Sequence, residues 1–535
     1  MKKINRLKKF FLSAAILSLS TILLRSISLF FNVFLSNKIG NEGMGLITLT
    51  SGVYSFAVTF ATSGINFAVV RLVSAALPYN EKINDGKSNA LVSKIMKKAF
   101  LYCLFFSSFA TIILFFFAKQ IGTYLLDDLR VVPSIKIMAL SLVPISLSSA
   151  INGYFYAVRR VYKNVIVSFF EQGIKISIIS SLLLFVFPSK VSYGCLAVAF
   201  GGLIGEIGSL LLNLILFLFD KIKRKSTVFE NVEIWKLGSK IKEKEEKSIP
   251  SIFKCAFPIA ISAYARSFLY TIEHLLIPWG LKINGMSGGD ALGSYGILCG
   301  MVFPLIFFPS SVLGAFSSLL IPEISASYEA KDFDRIRRII SKVFGFSLFF
   351  SICVSGVFVS FSNEIGELFF ETPKAGEFIK LLAPLIPIMY LDSSVDAVLK
   401  GIGEHIHTMQ INVIDSLISV FLVPTLTPWL GIYGYVITIY VTEIFNATFS
   451  ILRLLKKTSF KPRISKWIIK PLFSIIFAVA TYKILFNLVF SYVFPINKVS
   501  LILEISICVI IYVLISKTVG SITKEETNLI KSVLK

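Results

Sequence analysis

Apolar residues in this chain come in blocks long enough to cross a lipid bilayer, and that property removes most folds from consideration. Crossing roughly 30 Å of hydrocarbon takes about 20 apolar residues, and inside lipid only helices and closed barrels satisfy their own backbones. Fourteen blocks are read along the 535 residues: 10–35, 44–76, 98–118, 133–157, 164–187, 191–219, 253–280, 293–322, 343–362, 378–399, 406–427, 431–454, 467–489 and 496–516. The expectation is an all-α polytopic membrane protein with 14 transmembrane helices. With 55% hydrophobic and 16% charged residues the chain is too apolar for a soluble domain.

The formal charge of +23 raises the question of a nucleic-acid partner. Such a protein gathers its basic residues on one soluble face, whereas here they punctuate the apolar blocks, so no nucleic acid is expected. With the N-terminus placed in the cytoplasm, 40 of the 54 Lys and Arg fall on that side and nine on the other. The remaining five, Arg25, Arg71, Lys175, Arg266 and Lys483, lie inside blocks. This asymmetry is what the positive-inside rule requires, and both termini are expected to be cytoplasmic. The start MKKINRLKKFFLSAAILSLSTILL imitates a secretory signal but has no small-residue cleavage site and runs on past Arg25, so it reads as an uncleaved first helix. The six cysteines lie one per apolar segment without CxxC spacing and read as buried hydrophobes.

The chain reads as two similar halves. LVPISLSSAINGYFYAVRRVYKN matches LIPIMYLDSSVDAVLKGIGEHIH, aligning Pro144 with Pro387, and YGCLAVAFGGLIGEIGSLLLN matches LGIYGYVITIYVTEIFNATFS, aligning Glu206 with Glu443. The expected organisation is two pseudo-symmetric six-helix lobes, 1–219 and 253–455, joined by a basic cytoplasmic linker at 220–252, with two appended helices and a tail in 456–535. The linker's KIKRK and KIKEKEEK are a solvated charge run suited to anionic headgroups.

Enzyme chemistry finds little support in the residues. His405 and His407 flank a turn, His274 stands alone, and Gly401-Ile402-Gly403 lacks the rest of a Walker loop. The outer loops are too short to form a catalytic domain, so no catalytic residue, metal or resident cofactor is expected.

Ionisable groups inside the blocks are site hypotheses, because charge in hydrocarbon survives only when paired or wetted. Arg25 has no acid within a turn of it, and Arg71 is close enough to a helix end for snorkelling to explain it equally well. Glu171 and Lys175, one turn apart, are expected to neutralise each other, and Glu206 and Glu443 to tie helices together. Glu273 shares a helix face with Arg266; Asp392 and Asp396 are carboxylates one turn apart, and Asn412 and Asp415 follow on the next helix. Glu273, Asp392, Asp396, Asn412 and Asp415 are therefore the expected cation or proton site. Arginines in mid-membrane suit an anionic cargo, since a guanidinium binds phosphate oxygens in pairs and repels a cationic drug.

The stretch IGNEGMGLITLTSGVYSFAVTFATSGINFAVVRLVSA, residues 39–75, with IPEISASYEAKD at 321–332, resembles the stage V sporulation protein B and polysaccharide-exporter family. That family belongs to the multidrug/oligosaccharidyl-lipid/polysaccharide (MOP) flippase superfamily, together with the lipid II flippases. The resemblance implies two lobes about a V-shaped cavity that opens alternately to each side of the bacterial cytoplasmic membrane. It also implies a monomeric flippase moving an undecaprenyl-pyrophosphate-linked sugar outward for cell-wall, spore-cortex or polysaccharide synthesis, coupled to Na+ or H+. Arg25, Arg71 and Arg266 match by position the arginines that hold the pyrophosphate in the lipid II flippases, and Glu273, Asn412, Asp415 and Thr438 or Thr442 are the residues that could serve on helices seven, eleven and twelve, which those relatives use for sodium. Two rivals stand beside this reading: a cation-coupled multidrug exporter using Glu273, Asp392 and Asp396, and a scaffold that transports nothing.

Overall fold

The computed structural model describes residues 2–77, 86–186, 191–229, 252–460, 462–485 and 498–521. The regular elements among them are helices, and thirteen of these are long and apolar enough to cross a bilayer. The expected fourteen is not reached because blocks 10–35 and 44–76 lie in one 59-residue stretch, Ser18–Ala76. A straight helix of that length would span about three times the hydrocarbon thickness. The stretch bends at Gly40, whose φ of 77° and ψ of 179° lie in backbone space that is nearly exclusive to glycine.

The chain forms two compact units, Leu46–Leu275 on one hand and Met1–Gly45 with Leu276–Lys535 on the other. Block 10–35 thus falls in the second unit and residues 253–275 in the first. The linker expected at 220–252 lies, from residue 230 to 251, outside the described residues, as does the tail beyond residue 521.

In the first unit, helix α1 (Lys2–Thr62) ends where Ser63 (φ 43°) and Gly64 (φ 68°) turn left-handed, and α2 (Ile65–Ala76) follows. Block 44–76 is therefore two helices. The break is tolerated because its polar groups are satisfied: the Ser63 hydroxyl bonds the Phe60 carbonyl and the Tyr264 hydroxyl, and Tyr102 donates to the Ser63 carbonyl at 3.2 Å. Helices α3 (Gly86–Phe116), α4 (Val132–Ala157), α5 (Val161–Ser181), α6 (Val191–Phe229) and α7 (Ile252–Ile283) follow. Helix α4 packs against α2, α3 and α6, with Ile65, Val69, Met96, Ile151 and Phe155 in the common core.

Lipid offers no hydrophobic drive between helices, so close backbone approach and interhelical hydrogen bonds hold them together. A Cβ on Gly153 would lie 2.8 Å from the Asn66 carbonyl oxygen. Thr59 donates to Ser267 at 3.3 Å and Thr271 to the Gly52 carbonyl at 3.1 Å, so α7 is laced to α1 by hydroxyls. At one end of the unit, Asp220 on α6 accepts from Arg160 and Lys163 of the α4–α5 corner and from Tyr154, the last at 3.4 Å.

In the second unit, α8 (Gly288–Tyr295) runs on through a π-helical stretch, Gly296–Val302, to Phe307. The residues of α1 just past Gly40 cross it with glycine against glycine. A Cβ on Gly45 would lie 2.0 Å from the Leu292 carbonyl oxygen, and one on Gly296 2.3 Å from that of Asn41. Block 293–322 is expected as one helix but breaks at Phe308–Pro309, where the ring removes a backbone donor; α9 (Ser310–Glu329) starts beyond it. Helices α10 (Phe333–Ser360), α11 (Ser362–Phe370) and α12 (Pro373–Leu382) lead to a second interruption of an expected helix, the 3₁₀ turn Ala383–Leu385, with Pro384 inside it.

Beyond that turn come α13 (Ile386–Gly401), α14 (His405–Leu430), α15 (Ile432–Thr458), α16 (Lys470–Leu485) and α17 (Lys498–Thr518). Ile340, Phe344, Val395, Leu399, Trp467 and Tyr512 form their shared core. In the α13–α14 turn, Glu404 accepts from Lys457 at 2.6 Å and Arg453 at 2.7 Å, and these cations hold its carboxyl below the usual range. All six cysteines are buried and free, as their scattered positions predict.

Candidate functional site

Arg25 is carried by α1 in the second unit, and Arg71 and Arg266 by α2 and α7 in the first. All three side chains are exposed, and among the described residues none of them makes an ion pair or a hydrogen bond. The face of α2 that packs is Ile65, Ala68, Val69, Leu72 and Val73, which leaves Arg71 off the core. On α7 the seam toward α1 uses Tyr264, Ser267 and Thr271, so Arg266 and the half-buried Glu273, seven residues on, stand together on another face. A permanent cation in an apolar span costs about 2.5–3.5 kcal/mol even on the lenient insertion scale. The described chain supplies no counter-charge, so each guanidinium is left to water, headgroups or an anionic ligand.

The second unit gathers most of the expected cation site. Asp392 on α13 is 8% exposed, and its Oδ1 has no hydrogen-bond partner among the described residues. Ser450 on α15 stands beside the Asp392 carboxyl and lies 3.5 Å from the Asn446 Oδ1; Asn446 Nδ2 in turn donates to Asn412 Oδ1 on α14 at 3.1 Å. Ser450, Asn446 and Asn412 thereby form a polar chain from α15 to α14, with Asp392 of α13 beside it. Asp415 lies about one turn from Asn412 on α14, and Asp396 faces the Lys400 ammonium at 3.6 Å. Glu273 belongs to the other unit. Among the described residues no group of three or more His, Cys, Asp or Glu can hold a metal ion. What the arrangement offers is a buried carboxylate oxygen with spare acceptor capacity and amide and hydroxyl oxygens beside it, a set suited to a proton or a monovalent cation.

Ser450 and Asn446 are missing from the sequence reading. Their one detectable signal is polar spacing at i,i+4 on an otherwise apolar helix. Lys400, one turn beyond Asp396, was legible by the same rule. The ion pair expected between Glu171 and Lys175 is not made.

The solved structure of a lipid II flippase, MurJ, in an inward closed conformation superposes with a TM-score of 0.66 at 16% identity, covering 94% of this chain and 98% of that one. An inward-facing multidrug resistance MATE family transporter of the MOP superfamily gives 0.61 at 11% identity, over 83% of this chain and 98% of that one. These likenesses establish a shared fold. Stage V sporulation protein B of Bacillus subtilis (strain 168) is 24% identical over 411 residues, 76% of each chain. The MatE family's sequence model matches residues 277–425. The sequence model of the polysaccharide biosynthesis protein family matches residues 12–327, more than half of the chain, and the chain belongs to that family.

Proposed function

We propose that the chain is an alternating-access flippase that moves an undecaprenyl-diphosphate-linked sugar outward across the bacterial cytoplasmic membrane, for cell-wall, spore-cortex or polysaccharide synthesis. The observation that carries this reading is the set of three exposed guanidiniums without partners among the described residues, Arg25, Arg71 and Arg266, within apolar helices. Each is a diphosphate-binding group in this account: always charged, and forked to grip two phosphate oxygens. Family membership and the relatives named for sporulation and for lipid II support the cargo class. The chain crosses the membrane fourteen times, the stretch bent at Gly40 counting twice, with both termini cytoplasmic and the monomer as the working form.

The test is translocation by the purified chain in liposomes of a fluorescent undecaprenyl-diphosphate sugar, followed by quenching from outside. Transfer well above that of empty liposomes is the expected result. Dye efflux without lipid transfer would replace this reading with the drug exporter, and movement of neither would leave a scaffold.

Coupling is assigned to Asp392, whose orphaned Oδ1 takes a proton or Na+. Asp392→Asn is expected to bind the lipid as wild type does but to lose the acceleration that a sodium or pH gradient gives. A gradient response equal to that of wild type would remove the assignment.

A further inference from the structure

Within the second unit, the Gly40 bend of α1 and the starts of α8 and α12 border a polar cavity of about 590 Å³. Asn41 and Glu42 come from the bend, Asp290 and Ser294 from α8, and Thr372 and Lys374 from the start of α12. Asn37 Nδ2 donates to Glu371 Oε1 at 3.1 Å and so ties the bend to the α11–α12 connection. Glycine on α8 leaves the space open: a Cβ on Gly289 would stand 3.7 Å from the Glu42 carboxyl, and one on Gly293 3.7 Å from Asn41 Cβ.

The cavity wall carries hydrogen-bonding groups that the fold does not use. Ser294 is 6% exposed and Thr372 8%, yet among the described residues neither hydroxyl has a partner. The Asn41 amide and the Lys374 ammonium likewise make no hydrogen bond or ion pair among the described residues. Asp290 is committed through one oxygen, its Oδ2 accepting from Ser287 at 2.7 Å. Buried hydroxyls left unpartnered cost stability, so two of them on one cavity wall mark a place where another molecule completes the bonding. The volume lies within the range of small-molecule sites. The set mixes donors (an amide, an ammonium and two hydroxyls) with the carboxylates of Glu42 and Asp290. A diphosphate only accepts and is repelled by two carboxylates, and an isoprenoid tail uses none of these groups. Sugar hydroxyls each donate and accept, and they match the whole set.

We propose that this cavity receives the sugar of the cargo at the outer face of the membrane. On the topology proposed above, the Gly40 bend, the turn at 284–287 and the α11–α12 connection at 371–372 are outer connections, so the cavity lies on the side to which the sugar is delivered. The inference rests on the flippase reading and deepens it: the diphosphate is held by guanidiniums, and the sugar by other residues, Ser294 and Thr372 first among them.

The test is the affinity of the purified full chain in lipid nanodiscs for undecaprenyl diphosphate, bare and carrying one N-acetylglucosamine. A nanodisc exposes both faces, so binding needs no transport. Wild type should favour the sugar-bearing lipid by about 2- to 13-fold for each neutral hydrogen bond the sugar gains. Ser294→Ala combined with Thr372→Val should lose that preference and bind the bare lipid as wild type does. Equal affinity of wild type for the two lipids, or a preference unchanged in the double variant, overturns the proposal and leaves the diphosphate account standing; binding of neither lipid overturns both. A second variant locates the sugar. Thr372→Cys, in a chain whose own cysteines are all buried, should react with a maleimide and be protected by the sugar-bearing lipid and not by the bare one. Protection by neither lipid, or equally by both, overturns the assignment to this cavity.

Discussion

Arg25→Ala and Arg266→Ala are each expected to reach the membrane at wild-type levels and to translocate no measurable diphosphate-linked sugar. Neither side chain has a hydrogen bond or ion pair among the described residues, so truncation leaves nothing unsatisfied and removes a cation that was costly in an apolar span. What is lost is the grip on the cargo. A hydrogen bond to a charged group contributes about 1.5–3 kcal/mol, so losing one weakens diphosphate binding about 10- to 150-fold. Arg25→Lys should fall between, since lysine keeps the charge and loses the fork. Arg71→Ala should cost less, because that side chain lies near a helix end. Wild-type transport by both the Arg25 and Arg266 alanine variants would remove these residues from the binding account.

Asp220→Ala is expected to destabilise the protein more than any other single change considered. Asp220 is 3% exposed and accepts from both Arg160 and Lys163, and among the described residues the Lys163 ammonium otherwise has only the Leu216 carbonyl at 3.3 Å and the Phe155 ring at 4.9 Å. Removing one partner of a buried ionic cluster leaves uncompensated charge and costs about 3–5 kcal/mol, more than the cluster itself contributes over an apolar replacement. The thermal melt of the purified protein should fall markedly, and Lys163→Met added to Asp220→Ala should recover part of the loss. An unchanged melt for Asp220→Ala would show that solvent already compensates the cations.

The helical membrane architecture was legible in the sequence because bilayer thickness sets a minimum length for apolar blocks and little else satisfies it. The breaks inside blocks were harder. Ser63–Gly64 and Phe308–Pro309 sit within composition that stays apolar on both sides, so hydropathy alone runs across them; only Pro309 announces an interruption. The charged candidates stood out because charge is rare in such helices. Ser450 and Asn446 did not, since uncharged polar residues are common there and their value lies in what they touch on a neighbouring helix. Glu171 shows the same limit from the other side. The i,i+4 rule pairs it with Lys175, yet the two form no ion pair; Gly201 and Gly205 let α6 pack close against this stretch of α5, an interhelical contact that spacing along one helix does not show.

Whether the lone guanidiniums hold a diphosphate is decided most directly by the mass of the lipid that remains bound when the full chain is purified and released intact from its micelle. Wild type should retain a polyprenyl diphosphate, sugar-bearing or bare, and the Arg25→Ala and Arg266→Ala proteins should carry ordinary phospholipid alone. Phospholipid alone on wild type, or the same polyprenyl diphosphate on all three, would contradict it.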